Sequence, residues 1–364
     1  MLSLNKNYLF ILGALVAMPL FLVVGGSGFS MPTTYYEVEG IPIHFNFLIL
    51  LLFPFFYIRR IKVILIILFS AAYITIGILE GGDRALLFLQ QMHFFLIYAC
   101  LKNLSPQKLI YVVKGFLVSL ILLVSSHLAS IIYSLFSGNI LSAGPYIFDF
   151  VIYQAYLTYP LVLVIGFYIA LQYFGLKSIW GIFLLFGIFF VEIILMRRVA
   201  VMLFLLVTFL FYYKYFYILL ALIFVSLGYI AGELLEVFTN SFDRVTSLTD
   251  STGFTRSMTW NRSLGYLTDI KILLFGNGIH NHSHNFFLHS LTTNGVIVSS
   301  ILFYFYFSLF KKFFKNINYS IKPMIFISAL ILIDWNLNVN IYQHYYSGSL
   351  ALLMIYLSNE KKFS

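Results

Sequence analysis

Three groups of residues in this chain have the types and spacing to handle anionic leaving groups and protons. The first is Arg256 with Trp260, four positions apart and so on one face of a helix, with Arg262 on a different face. Guanidinium is a planar fork that grips phosphate through two hydrogen bonds. A tryptophan ring can stack on a sugar, and it serves equally as an interfacial anchor pressing a helix onto a bilayer. The second group is His280, His282, His284 and His289, four of the eight histidines within ten residues. Neutral imidazole near pH 7 can take a proton from a hydroxyl. His284 is the best placed for that role, just before the chain turns apolar. In an extended segment His280, His282 and His284 would face one way and could hold zinc. No cysteine is near them and carboxylates are few in the segment, so no metal and no cofactor is expected. The other three histidines read as polar loop residues.

The third group is Arg197 and Arg198, between the apolar run Ser178–Met196 and the shorter run Val199–Tyr213. The shorter run reaches about 22 Å as a helix, against about 30 Å of hydrocarbon. The hairpin between the two is therefore expected to lie below the outer membrane surface. Arginine at membrane depth costs about 2.5–3.5 kcal/mol on insertion scales, and persists where it meets an anion. One arginine could snorkel to the headgroups; two adjacent ones point in different directions. Glu192, about a turn and a half earlier, is in reach of pairing with one of them.

The elements that must position these groups follow from composition. Of 364 residues, 61% are hydrophobic, 20% aromatic and only 10% charged. Mean hydropathy is +0.95. A soluble domain carries about 25% charged residues, so a cytosolic enzyme, a DNA-binding module and a disordered tail are excluded. Long runs such as Lys62–Leu79, Val112–Ile132 and Val151–Ala170 exclude the short alternating strands of a membrane barrel. The expectation is an all-α polytopic integral membrane protein, one transmembrane domain over residues 1–364. Twelve spans are expected at 8–29, 42–58, 61–79, 85–101, 109–132, 149–171, 178–196, 199–213, 215–232, 295–310, 323–338 and 342–358. The first reads as a retained signal anchor. Cys100, the lone cysteine, reads as a small buried hydrophobe.

Net charge is +9, and its distribution points to a membrane and not to nucleic acid. With both termini cytoplasmic, 15 of the 22 Lys and Arg fall on the cytoplasmic side, as the positive-inside rule requires. The cytoplasmic set is mostly lysine. The external exceptions are Arg84, Arg197, Arg198, Arg244, Arg256, Arg262 and Lys271, and an arginine cluster placed against the rule suggests a bound anion. Residues 233–294 form one long external loop before the last three spans. Loops of that length usually carry function. Within it a helix is expected near Thr255–Thr268, with Thr252–Gly253 as entry and Asp269 near its end, then a turn at Gly276-Asn277-Gly278. A second helix should start near His284 and run into the tenth span.

Residues 252–295 resemble the bacterial O-antigen polymerase and O-antigen ligase superfamily. The resemblance rests on Arg256 and Trp260, Gly276-Asn277-Gly278, His284-Asn285 and Gly295, with Arg197 or Arg198 at an external turn upstream. In sequence it is confined to these positions, and it is wider in architecture. It implies a metal-independent, inverting glycosyltransferase of GT-C-like architecture in the bacterial inner membrane, acting in lipopolysaccharide biosynthesis with its active site facing the periplasm. The donor would be an oligosaccharide on undecaprenyl pyrophosphate. Arg197 or Arg198 and Arg256 would bind the pyrophosphate, with Arg262 a further contact. His284 would act as general base or position the acceptor hydroxyl, and Asn285 would support it. Partners would be the lipid-linked substrate, membrane lipid and a chain-length-regulating membrane protein.

Within the resemblance, heavy use of Phe, Ile, Tyr and Leu with few charges points by analogy to a polymerase that joins lipid-linked repeat units. A ligase moving the finished chain to lipid A-core shares the motif. A flippase or other transporter of lipid-linked sugars would also use deep arginines. It would place its ionisable groups inside the spans, where only Glu192, Asp149 at an edge, and Asp334 with His344 qualify.

Overall fold

The computed structural model describes residues 5–17, 35–38, 41–44, 94–95, 97–98, 101–102, 104–136, 146–147, 150–151, 159–175, 178–195, 198–213, 251–277, 285–317, 321–337 and 344–359. Most of these are helical. In chain order they form α1 (Lys6–Ala17), β1 (Tyr35–Val38), β2 (Ile41–His44), α2 (Pro106–Phe136), β3 (Tyr146–Ile147), β4 (Phe150–Val151), α3 (Tyr159–Phe174), α4 (Ile179–Leu195) and α5 (Arg198–Tyr212). After these come α6 (Ser251–Tyr266), α7 (Ile270–Phe275), α8 (Phe286–Asn316), α9 (Ile321–Leu337) and α10 (His344–Asn359). Two helices, α2 and α8, are long and apolar enough to cross a membrane, and shorter apolar helices accompany them.

Two expected span starts are corrected. Residues 42–44 pair in an antiparallel ladder with β1, Tyr35 opposite His44 and Val38 opposite Ile41. Residues 150–151 pair with 146–147. These ladders are too short to show an alternating pattern, so the apolar runs beside them read as helix. Helix α3 begins only at Tyr159, with Pro160 in its first turn, where a missing N–H costs nothing. The expected spans 61–79 and 215–232 lie outside the described residues.

The chain divides into two compact units, Met1–Leu48 with Ser105–Leu248, and Ile49–Leu104 with Thr249–Ser364. In the first, α1 lies along α2. Lys6 stands over the Tyr111 ring at 5.5 Å, and further along Ser119 Oγ donates to the Ala14 carbonyl at 3.2 Å. Both helices thus run the same way. A Cβ on Gly13 would strike the Val112 carbonyl, and one on Gly115 the Phe10 carbonyl. Such close backbone approach is how apolar helices gain packing where lipid is as apolar as leucine. Helix α3 is buried around its whole circumference from Pro160 to Leu171 and forms the core of this unit. Its Phe167 stacks on Phe204 of α5 at 5.2 Å.

In the second unit α8 is the organising element, packed against α6, α7, α9 and α10. Gly295 interrupts it at φ 72, ψ 171. Phe286 and Phe303 would stand about 25 Å apart on a straight helix, yet their rings lie 5.4 Å apart. Phe286 also meets Tyr306 at 5.4 Å and Phe287 meets Phe303 at 5.1 Å. The first limb, residues 286–294, is therefore folded back towards the second, residues 296–316. The expected helix does start where the sequence suggests, but it reverses at Gly295 and does not run straight into the span. Phe94 adds to this cluster, stacked 5.6 Å from Tyr306.

Candidate functional site

Helix α6 carries the first motif group. Trp260 and Ser263 of α6, with Leu267 just beyond its end, recur at helical spacing and are less exposed than Asn261, Arg262, Leu264 and Tyr266. Helix α6 packs against α8. Arg256 is one turn before Trp260 on the same helix; its side chain is outside the described set. Trp260 Nε1 is buried without a hydrogen-bond partner. An indole N–H left so costs about 1–3 kcal/mol, which marks it as a donor for something further. Arg262 is exposed.

The loop beyond α6 is built by capping. Asp269, expected at the end of α6, instead caps the start of α7: its carboxylate accepts from the Lys271 N–H at 2.8 Å. Gly276 ends α7 at φ 75, ψ 169, and its N–H donates to the Ile272 carbonyl at 2.7 Å. Both Gly276 and Gly295 occupy a backbone region that is essentially glycine-only. They are also reciprocal neighbours. A Cβ on Gly276 would collide with the Thr293 carbonyl, and one on Gly295 with the Leu274 carbonyl. The Asn277 N–H closes the contact on the Thr292 carbonyl at 2.8 Å. The two motif glycines thus form one clasp, fastening the end of α7 to the reversal of α8.

Asn285 caps the first limb of α8. Its side-chain oxygen accepts from the Leu288 N–H at 3.0 Å, and its own backbone is extended at φ −135, ψ 123. This gives Asn285 a structural task; it is half-buried. His284, the residue before it, lies outside the described residues, as do His280 and His282. His289 sits in the first limb and is buried with Ser290, Thr292, Thr293 and Asn294. Among the described residues no three His, Cys, Asp or Glu side chains gather as metal ligands.

Two polar groups not marked by their spacing also stand out. Ser299 is 0% exposed and its hydroxyl has no partner. Other helical hydroxyls here bond the carbonyl four residues back: Ser126 to Leu122 at 2.8 Å, Thr208 to Phe204 at 2.9 Å, Ser263 to Thr259 at 2.8 Å. For Ser299 that residue is Gly295, whose non-helical backbone turns the carbonyl away. Glu192 of α4, in the first unit, is 1% exposed with neither carboxylate oxygen hydrogen-bonded. Arg198 opens α5, three residues after α4 ends; its side chain and all of Arg197 are outside the described residues.

The second unit by itself therefore brings together the Arg256–Trp260 helix, the glycine clasp and the Asn285 cap. Arg197 and Arg198 belong to the first unit. Comparison of the chain with protein-family models, with curated proteins and with solved structures finds no match.

Proposed function

We propose that this chain is a glycosyltransferase of the O-antigen polymerase type in the bacterial inner membrane. It would transfer a growing glycan from undecaprenyl pyrophosphate to a hydroxyl of another lipid-linked repeat unit at the periplasmic face. The observation that carries the reading is the clasp. Gly276 and Gly295 are motif positions, and each is required by the backbone just before the other: Thr293–Asn294 against Gly276, and Leu274–Phe275 against Gly295. The capped limb begins at Asn285, the residue after His284 in the sequence, and this supports the motif reading. The parallel course of α1 and α2 agrees with an odd number of crossings between them, as a first and a fifth span require.

The chemistry follows from residue types. Arg256 would bear the charge that develops on the departing diphosphate, using bidentate hydrogen bonds in a partly dehydrated site. The Trp260 indole N–H would donate to a sugar or phosphate oxygen. His284 would take the proton of the acceptor hydroxyl as it attacks the anomeric carbon, and the bond to the diphosphate oxygen breaks.

The test is a product ladder. Purified protein in nanodiscs receives only the lipid-linked repeat unit, and products are separated by size. A ladder stepping by one repeat, lost in His284→Ala, is the expected result. Transfer of a preformed chain to lipid A-core without a ladder would make the chain a ligase. Glu192 favours a second reading, a transporter of lipid-linked sugars, since ionisable groups buried inside spans mark transport paths. Movement of labelled substrate across a vesicle membrane, without either product, would select that reading.

A further inference from the structure

We propose that helix α7 is embedded in the outer-leaflet interface, its apolar side chains seated among lipid headgroups and upper acyl chains; this rests on the membrane-spanning part of the functional reading. None of the residues of α7 is buried. Ile270 is 71% exposed and Phe275 55%, with Leu273 and Leu274 also exposed. An apolar face so displayed has to be covered by something. The depth of α7 says by what. The second limb of α8 ends in Lys311, Lys312 and Lys315, all exposed, and lysines of this kind mark the cytoplasmic boundary. Counting back about 30 Å along the helix from Lys315 reaches Gly295. Gly295 thus stands at the outer boundary of the hydrocarbon. The clasp puts the Leu274 carbonyl and the Phe275 amide against Gly295. Helix α7 is therefore held at that same depth, where water ends and acyl chains begin. Lys271, exposed within α7, matches anionic headgroups. Asp269 is committed to its cap.

The consequence is a specific partner surface. A diphosphate joined to a long isoprenoid has its polar–apolar junction at this depth, and α7 would meet it there.

The experiment is site-directed spin labelling of the full chain in nanodiscs. Cys100→Ser removes the lone cysteine. Single cysteines then replace Ile270, Leu274 or Phe275, with Arg262→Cys as a solvent reference and Tyr304→Cys, 69% exposed on the second limb of α8, as a lipid reference. Collision with lipid-soluble oxygen is compared with collision with a water-soluble nickel chelate. The expected result is an oxygen-to-nickel ratio at 270, 274 and 275 shifted from the Arg262 value towards the Tyr304 value. A ratio equal to that at Arg262 overturns the proposal. So does low collision with both probes, which would mean protein covers α7. Fluorescence quenching of Phe275→Trp by brominated lipid, above the wild-type level, repeats the measurement without a label. The outcome is independent of catalysis: a lipid-exposed α7 with no product ladder sinks the polymerase reading alone. A water-exposed label at Tyr304 sinks the membrane assignment on which both rest.

Discussion

Replacing single glycines by alanine separates what the clasp does from what glycine does in general. Three sites form a series. Gly265, on α6, has ordinary backbone geometry, and a Cβ there would meet nothing within 4 Å. Alanine there should stabilise its helix by about 0.5–1 kcal/mol. Gly175 ends α3 at φ 83, again with open space around it. Alanine there should cost about 1–2 kcal/mol, through backbone strain alone. Gly295 combines φ 72 with the Leu274 carbonyl in the path of the new carbon. Strain of about 1–3 kcal/mol joins an overpacking cost of about 1–3 kcal/mol. The neighbour is backbone, itself fixed by the reciprocal contact at Gly276, so it cannot swing aside as a side chain would. The assay is hydrogen–deuterium exchange read by mass spectrometry on peptides covering 272–277 and 286–294, in detergent. The Asn277 amide, hydrogen-bonded across the clasp, is the reporter. Gly295→Ala should speed its exchange by at least about tenfold, the equivalent of 1.4 kcal/mol. Gly265→Ala should leave it unchanged. Equal exchange in these two variants would refute the clasp.

Three further outcomes are expected. Asn285→Ala should destabilise the first limb of α8 by about 1 kcal/mol, while Asn285→Asp, which keeps a capping oxygen, should not; exchange at the Leu288 amide reads the difference. Glu192→Gln should leave thermal stability in detergent equal or higher, since neither carboxylate oxygen is paired; a large loss would mean that the carboxylate holds a charge partner. Arg256→Lys should severely slow ladder formation, because it keeps the charge and loses the fork; near-normal kinetics would reduce Arg256 to a surface cation.

Most helices were legible in the sequence because each is a bounded apolar run. The stretch 178–196 contains α4, and the short run 199–213 matches α5. The loop helix, expected near Thr255–Thr268, is found at Ser251–Tyr266. The β-ladders at 35–44 and 146–151 were not legible, since pairs of two to four residues leave no period to detect. Asp269 read as the end of one helix because a capping aspartate and a terminating one look alike without the backbone.

The sequence by itself determined the solvent: too few charges for water, and helices so that backbone groups are satisfied within each segment. It also placed Arg256 and Trp260 four positions apart, on one face of a helix. Only the tertiary structure decided what Gly276 and Gly295 are for. A glycine in a sequence announces freedom or close approach, but not what approaches. That depends on two backbones nineteen positions apart meeting at carbonyl distance. The same contact decided that α8 reverses and that Ser299 loses the carbonyl its hydroxyl would otherwise bond. Local propensity is a property of neighbours along the chain, whereas these three facts belong to neighbours across it.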